Sequence, residues 1–277
     1  MSSPDRPTVA FILSALKSGS TWLNLVLGSL DGAIGLGEFY RPFLQPGHVV
    51  CRQCEADGLP DCTLLHGLAA EPPANGFHFV AGRSGCSVLV DASKRLDWAA
   101  HFVGRADLDV RLIHLVRHPA GFVDSYGRRQ PDLSHDDLLA LWESTNRDIE
   151  GFIAGAIRPA ITVCYDDLAD RPETYFPPLC RFLGLAWQPA ALRYWEVPHH
   201  GLGANGAASL FLRGRPVRNY LTGDDAHYER LAERPTAADR RWRERLPAEF
   251  RRRAVASAYA RDLRARLGGP PWDDGAA

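Results

Sequence analysis

Lysine is almost absent from this chain. Of 32 basic residues, two are lysine, Lys17 and Lys94, and the other 30 are arginine. Against that background each lysine marks a position where a compact charge on a flexible stem serves better than a planar fork. An excess of charge of one sign is missing too. The formal net charge is -1, which argues against a nucleic-acid-binding or membrane-surface protein, so any anion site must be local. No run reaches the roughly 18 apolar residues of a membrane span. The segment MSSPDRPTVAFILSALKSGS does not read as a secretory leader: its apolar core is short, Lys17 breaks it, and no usual cleavage site follows. A cytoplasmic protein with no membrane partner is expected. There is no internal repeat and no low-complexity linker, so residues 1–277 are expected to form a single domain.

What is present is an alternation of short apolar runs with helical patterns. TVAFILSA (8–15), SVLVDAS (87–93), DVRLIHLVRHP (109–119) and AITVCYDDL (160–168) read as buried strands, with a short extended piece over 32–37. Helical patterns follow each: SGSTWLNLVLGSL, KRLDWAAHFVGR, AGFVDSYGRR with LSHDDLLALWESTNRDIEGFIAGAI, and RPETYFPPLCRFLGL. Ser20 or Thr21 is placed to cap the first helix. This order predicts an α/β three-layer sandwich around a mostly parallel sheet. Residues 39–86 read as an irregular insertion. Residues 196–277 read as a loop followed by one amphipathic helix through Leu246, Phe250, Ala254, Tyr259, Leu263 and Leu267.

Ligands in a parallel sheet sit beyond the carboxyl ends of its strands. The turn LKSGSTW (16–22) falls there, between a strand and a helix N-terminus. Gly19 lets the backbone approach an anion, Ser18, Ser20 and Thr21 add hydroxyls, and Lys17 adds charge. A nucleoside-triphosphate loop needs glycine before the lysine; here Gly19 follows it. The bland alternative is an ordinary corner with a surface lysine. A second anion site is offered by VRHPAGFVDS, where Arg117 ends a strand and Ser125 lies eight residues on, about two turns into the next helix. The bland alternative pairs Arg117 with Asp124 or Asp136.

These two stretches resemble the nucleotide motifs of sulfotransferases that use 3′-phosphoadenosine 5′-phosphosulfate (PAPS). LKSGSTW is similar to P-K-[ST]-G-[ST]-[ST]-W, with Leu16 for the proline, and Arg117, Pro119 and Ser125 match R-[NDH]-P-x-x-x-x-x-S. VCYDDLADRPETYFPPLCRFLGL resembles the V-x-Y-E-D-L…P…F-L-G-L segment of the same superfamily. The resemblance implies a P-loop NTPase-like sulfotransferase fold. It implies Lys17 at the sulfuryl-bridging region, Ser18, Gly19, Ser20 and Thr21 on the 5′-phosphate, Trp22 beside the adenine, and Arg117 with Ser125 on the 3′-phosphate. A sulfuryl group carries less charge than a phosphoryl group, so no catalytic metal is expected.

The acceptor hydroxyl or amine, on a small molecule or carbohydrate, needs a base for in-line displacement. Glu38, after the short second extended piece and expected beside the first strand's end, is the favoured base; it resembles the glutamate of the G-E-[TL]-R segment in relatives. Its plain reading is a salt bridge to Arg41. Lys94, in VDASKRLDW, looks like a lysine that follows the corresponding strand in relatives and is expected to stabilise the transferring group. His48, His101, His199 and His200 are the remaining base candidates. HHGLGANG resembles a late H-x-x-x-G-N stretch through His200 and Asn205, with Arg213, Arg215 or Arg218 expected over the 3′-phosphate. RRWRER (240–245) reads as a solvated helix face. Cys51, Cys54, Cys62 and His66 give C-x2-C-x7-C-x3-H, spacing for a structural zinc; free or locally paired thiols are preferred on sequence alone. The rival functions are an ATP-dependent kinase-like phosphotransferase and a non-catalytic nucleotide binder. The acceptor's identity and the oligomeric state are not legible.

Overall fold

The computed structural model describes residues 6–45, 51, 53–54, 57, 59, 62–203 and 238–275. His48, Asn205, Arg213, Arg215 and Arg218 lie outside them. Five strands form one sheet: β1 (Thr8–Leu13), β2 (Ala33–Gly37), β3 (Val88–Asp91), β4 (Asp109–Val116) and β5 (Ala160–Cys164). The order is β2-β3-β1-β4-β5 and every pair is parallel. The sheet is therefore wholly parallel, as the alternation predicted.

Parallel strands buried on both faces read as continuous apolar runs, and β1 shows why. Val9, Phe11 and Leu13 face one core while Ala10 and Ile12 face the other, as a period of two requires. The first core holds Trp98 and Phe102 of α4 (Leu96–Val103) and Ile149 of α6 (His135–Ala156). The second holds Leu23 and Leu27 of α1 (Ser20–Leu27) with Phe176 and Leu179 of α8 (Pro172–Leu183). These are the three expected layers. The region read as an irregular insertion carries α2 (Arg41–Leu44) and α3 (Gly76–Ser84), with two short 3-10 turns between them.

A third apolar cluster joins α5 (Pro119–Gly127) to the C-terminal helices. Those helices depart from expectation. Instead of one amphipathic helix there are α9 (Trp242–Arg245), α10 (Ala248–Ala256) and α11 (Ala258–Arg266). Ser257 ends α10, and its side chain caps α11 by accepting from Ala260 N. The apolar positions still reach the core, because the five-residue step from Ala254 to Tyr259 coincides with the break. RRWRER is not a solvated face throughout: Trp242 is buried and stacks on His118, ring centroids 4.3 Å apart.

Candidate active site

Each strand exit contributes to one rim of the sheet. Glu38 follows β2, Lys94 follows β3, Lys17 follows β1, Arg117 follows β4, and Tyr165 opens α7 (Tyr165–Asp170) directly after β5. The registers Phe11↔Asp91, Gly37↔Asp91 and Leu13↔His114 level these exits. Glu38 is not beside the first strand, as expected, because β3 intervenes; its neighbour is the Lys94 exit.

The β1 exit turns sharply. Lys17 has φ 65° and Gly19 φ 90°. Only three non-glycine residues among those described have positive φ, and two are the chain's two lysines, Lys17 and Lys94 (φ 61°). That conformation costs an ordinary residue on the order of 1 kcal/mol, and such strain gathers where a side chain must be aimed. Gly19 is required twice over: its φ is left-handed, and a Cβ there would stand 2.3 Å from the Tyr165 ring. Gly19 is also the N-cap of α1, in place of the Ser20 or Thr21 read from sequence, and no side chain caps the helix. Ser18 is buried with its Oγ unpartnered. The turn thus sets uncapped helix N–H groups beside a buried, unsatisfied hydroxyl, which fits an oxyanion. Trp22, half-buried in the first turn of α1, meets Tyr165 and Phe176 edge-on at 5.6 and 5.8 Å.

Arg117 is adjacent. It is 5% exposed, and its Nη1 donates to the Lys17 carbonyl at 2.7 Å. Its guanidinium lies 5.3 Å from the Tyr165 ring centroid and 3.6 Å from the Asp239 carboxylate, while its Nε is buried without a partner. Neither sequence-proposed acid pairs with it: Asp124 takes Arg128 and Arg245, and Asp136 takes Arg253. The histidine between Arg117 and Pro119 has a structural task, since His118 Nδ1 accepts from Ala120 N and caps α5. Ser125 is half-buried on α5. Burial, and then the charges of Arg129, Arg128 and Arg117, pull the Lys17 ammonium down to about 8 from its ordinary 10.5.

The β2–β3 side is neutralised internally. Glu38 Oε1 accepts from Lys94 Nζ at 3.1 Å, and Oε2 accepts from Arg41 Nε at 2.7 Å. Burial alone would raise this carboxyl; the Lys94 charge and the hydrogen bonds from Arg41 and Lys94 outweigh it and hold Glu38 below its usual range. Lys94 Nζ also donates to the Ala92 carbonyl at 2.6 Å. Asp91 is fully buried, accepting from Ser93 N at 2.6 Å and Trp98 Nε1 at 2.8 Å, and burial pushes it up to about 6. It shapes the Lys94 turn from beneath. Gly203 lies over the glutamate: a Cβ there would meet Glu38 Oε2 at 2.7 Å.

Two of the candidate histidines have other surroundings. His101 is exposed on α4. His199 is buried, donates through Nε2 to the Tyr194 carbonyl at 2.7 Å, and is pulled down to about 4 by burial. His66 is exposed, and His200 instead joins Cys51, Cys54 and Cys62. The zinc set read from sequence therefore has its histidine corrected. Sequence reasoning missed Tyr165, Asp239 and the Arg128–Arg129 pair. The arginines were visible as a basic dipeptide closing the Arg117 helix, and Tyr165 as the tyrosine of the VCYDDL segment, to which no site role was given; Asp239 carried no local signal.

No family model matches the chain, and no curated protein does. Solved structures do. The sulfotransferase domain from the curacin biosynthetic pathway aligns with a TM-score of 0.58 at 17% identity, covering 96% of this chain and 99% of that one. A sulfotransferase domain from the Synechococcus PCC 7002 olefin synthase (TM-score 0.47, 22% identity, 82% and 96% covered) and mouse sulfotransferase SULT7A1 complexed with PAP (0.48, 13%, 97% and 90%) align less well. The chain has the P-loop-like α/β fold of the curacin-pathway sulfotransferase domain.

Proposed function

We propose that the protein transfers a sulfuryl group from PAPS to a hydroxyl or amine acceptor. The observation that carries this reading is the pairing of two anion-receptive groups across neighbouring strands. The Lys17 turn offers an unsatisfied Ser18 Oγ and uncapped helix N–H groups, and Arg117 sits 2.7 Å from the Lys17 carbonyl with an unsatisfied Nε. Two phosphates on one adenosine need two such cradles close together. Ser18, Gly19, Ser20 and Thr21 would hold the 5′-phosphosulfate, Arg117 and Ser125 the 3′-phosphate, and Trp22 the adenine.

In the reaction, the acceptor oxygen or nitrogen forms a bond to sulfur as the bond from sulfur to the bridging oxygen breaks. Adenosine 3′,5′-bisphosphate leaves, and Lys17 stabilises the charge that grows on the bridging oxygen. The acceptor proton passes to Glu38, which is ionised at neutral pH and oriented by Arg41 and Lys94. Lys94 Nζ, 3.1 Å from that carboxylate, balances charge on the sulfuryl oxygens.

The test is thermal stabilisation of the protein by adenosine 3′,5′-bisphosphate and by ATP with Mg²⁺, in wild type and Arg117→Ala. The bisphosphate is expected to raise the midpoint without a metal, and Arg117→Ala to lose most of that rise whatever its own midpoint. A larger shift with Mg-ATP, unaffected by Arg117→Ala, would overturn the reading in favour of a phosphotransferase.

A further inference from the structure

Away from the nucleotide, Cys51, Cys54, Cys62 and His200 converge. The three cysteines are each more than nine-tenths buried, at 6, 4 and 8% exposure, and it is their sulfurs that converge. They stand 3.6, 3.5 and 3.5 Å from a single atom, His200 Nδ1, and all four donor atoms fall within 4.8 Å of one another. Hydrogen bonding does not account for that arrangement. An imidazole nitrogen has one lone pair or one proton, so it cannot bond three thiols at equal distance. A shared centre does account for it. With Zn–S of about 2.3 Å and Zn–N of about 2.0–2.1 Å at tetrahedral angles, each sulfur stands about 3.5–3.6 Å from the nitrogen. The three sulfur–nitrogen distances in the structure are those of ligands sharing one tetrahedral metal.

We infer that Cys51, Cys54, Cys62 and His200 form a structural Cys3His zinc site that pins the chain at 199–203 to the exit of β2. All four positions are filled by protein, which marks a closed site rather than one with a place for substrate or water. The donor set also says what the metal does. Three ligands come from a short segment and the fourth from 138 residues beyond the third, so the metal closes a long loop. Two residues past His200, Leu202 forms backbone bridges to both Gly37 and Cys51. The Leu202 carbonyl accepts from Glu38 N at 2.6 Å, and Leu202 N donates to the Leu36 carbonyl at 2.9 Å. Gly203 then covers the Glu38 carboxylate. The site thus anchors the strip of backbone that walls the Glu38 side of the rim. It stands whether or not the sulfuryl-transfer reading does.

The experiment uses the full chain expressed with zinc and purified without chelator. Elemental analysis is expected to find one zinc per chain. Cys54→Ser and His200→Ala are expected to lose it, and His66→Ala to keep it. Apoprotein refilled with Co²⁺ should show the intense absorption of tetrahedral cobalt and thiolate-to-metal charge transfer, a readout that requires no variant to fold. Metal removal should speed hydrogen exchange at residues 199–203. Less than about one-tenth of a zinc per chain with no cobalt spectrum would overturn the inference. So would a Cys–Cys disulfide among the three cysteines in unreduced protein, or zinc lost with His66→Ala and kept with His200→Ala.

Discussion

The two lysines stand on neighbouring strand exits, both on left-handed backbone, yet their surroundings are opposite. Lys94 is paired: its ammonium meets the Glu38 carboxylate at 3.1 Å and the Ala92 carbonyl at 2.6 Å. Lys17 is crowded by Arg117, Arg128 and Arg129, and its pKa falls to about 8. On the β2–β3 side Glu38 and Lys94 neutralise each other; on the β1–β4 side Arg117 meets Asp239 and Arg128 meets Asp124, while the charges that shift Lys17 are those of arginines. A folded protein tolerates uncompensated positive charge at one spot when an anionic ligand supplies the balance. The difference supports the proposed division of the rim, with the nucleotide on the β1–β4 side and the acceptor proton on the β2–β3 side.

That contrast can be broken most decisively at Glu38. Glu38→Gln is expected to lower turnover by about 10²–10⁴-fold, followed as bisphosphate release from PAPS with a panel of hydroxyl acceptors, while the thermal shift by the bisphosphate stays at the wild-type value. A lost thermal shift would mean that the two sides are not separable. Lys17→Ala is the converse case. It should cost about 10²–10³-fold in kcat/KM, as removal of one charge-stabilising donor does, and should weaken bisphosphate binding in calorimetry as well.

Smaller effects sharpen the comparison through pH. Lys17 is charged below about pH 8, so bisphosphate affinity should be strongest there. It should fall as pH rises through 8, by up to about tenfold per unit; a titration flat from pH 7 to 10 would contradict the placement. Stability of the ligand-free protein should move the other way, rising with pH above 8, because the unfolded lysine binds its proton more tightly. The smallest pH effect is expected from Lys94→Ala. It removes a charge that lowers the Glu38 pKa, so the acid limb of the kcat/KM profile should move to higher pH.

The fold was largely legible because short segments of four to eight residues rich in apolar and β-branched side chains alternate with segments of helical spacing. Lys17, Arg117 and Lys94 were legible for the same reason: a strand-end position is local information. Which strands are neighbours is not. Glu38 was expected beside β1, but the return of the chain as β3 between β2 and β1 gave it Lys94 as its partner. Tyr165, whose ring fixes residue 19 as glycine, and His200, the fourth ligand, lie some 140 residues from their partners. No spacing rule spans such a gap, and the nearby exposed His66 was the natural wrong choice.

Lys17 also sets heat resistance against turnover. Its backbone angle suits asparagine or glycine better than lysine, and burial and the neighbouring arginines disfavour its charge before a ligand arrives. Variants chosen for survival at high temperature without nucleotide should therefore favour Lys17→Asn, and repeating the selection with the bisphosphate present should restore lysine.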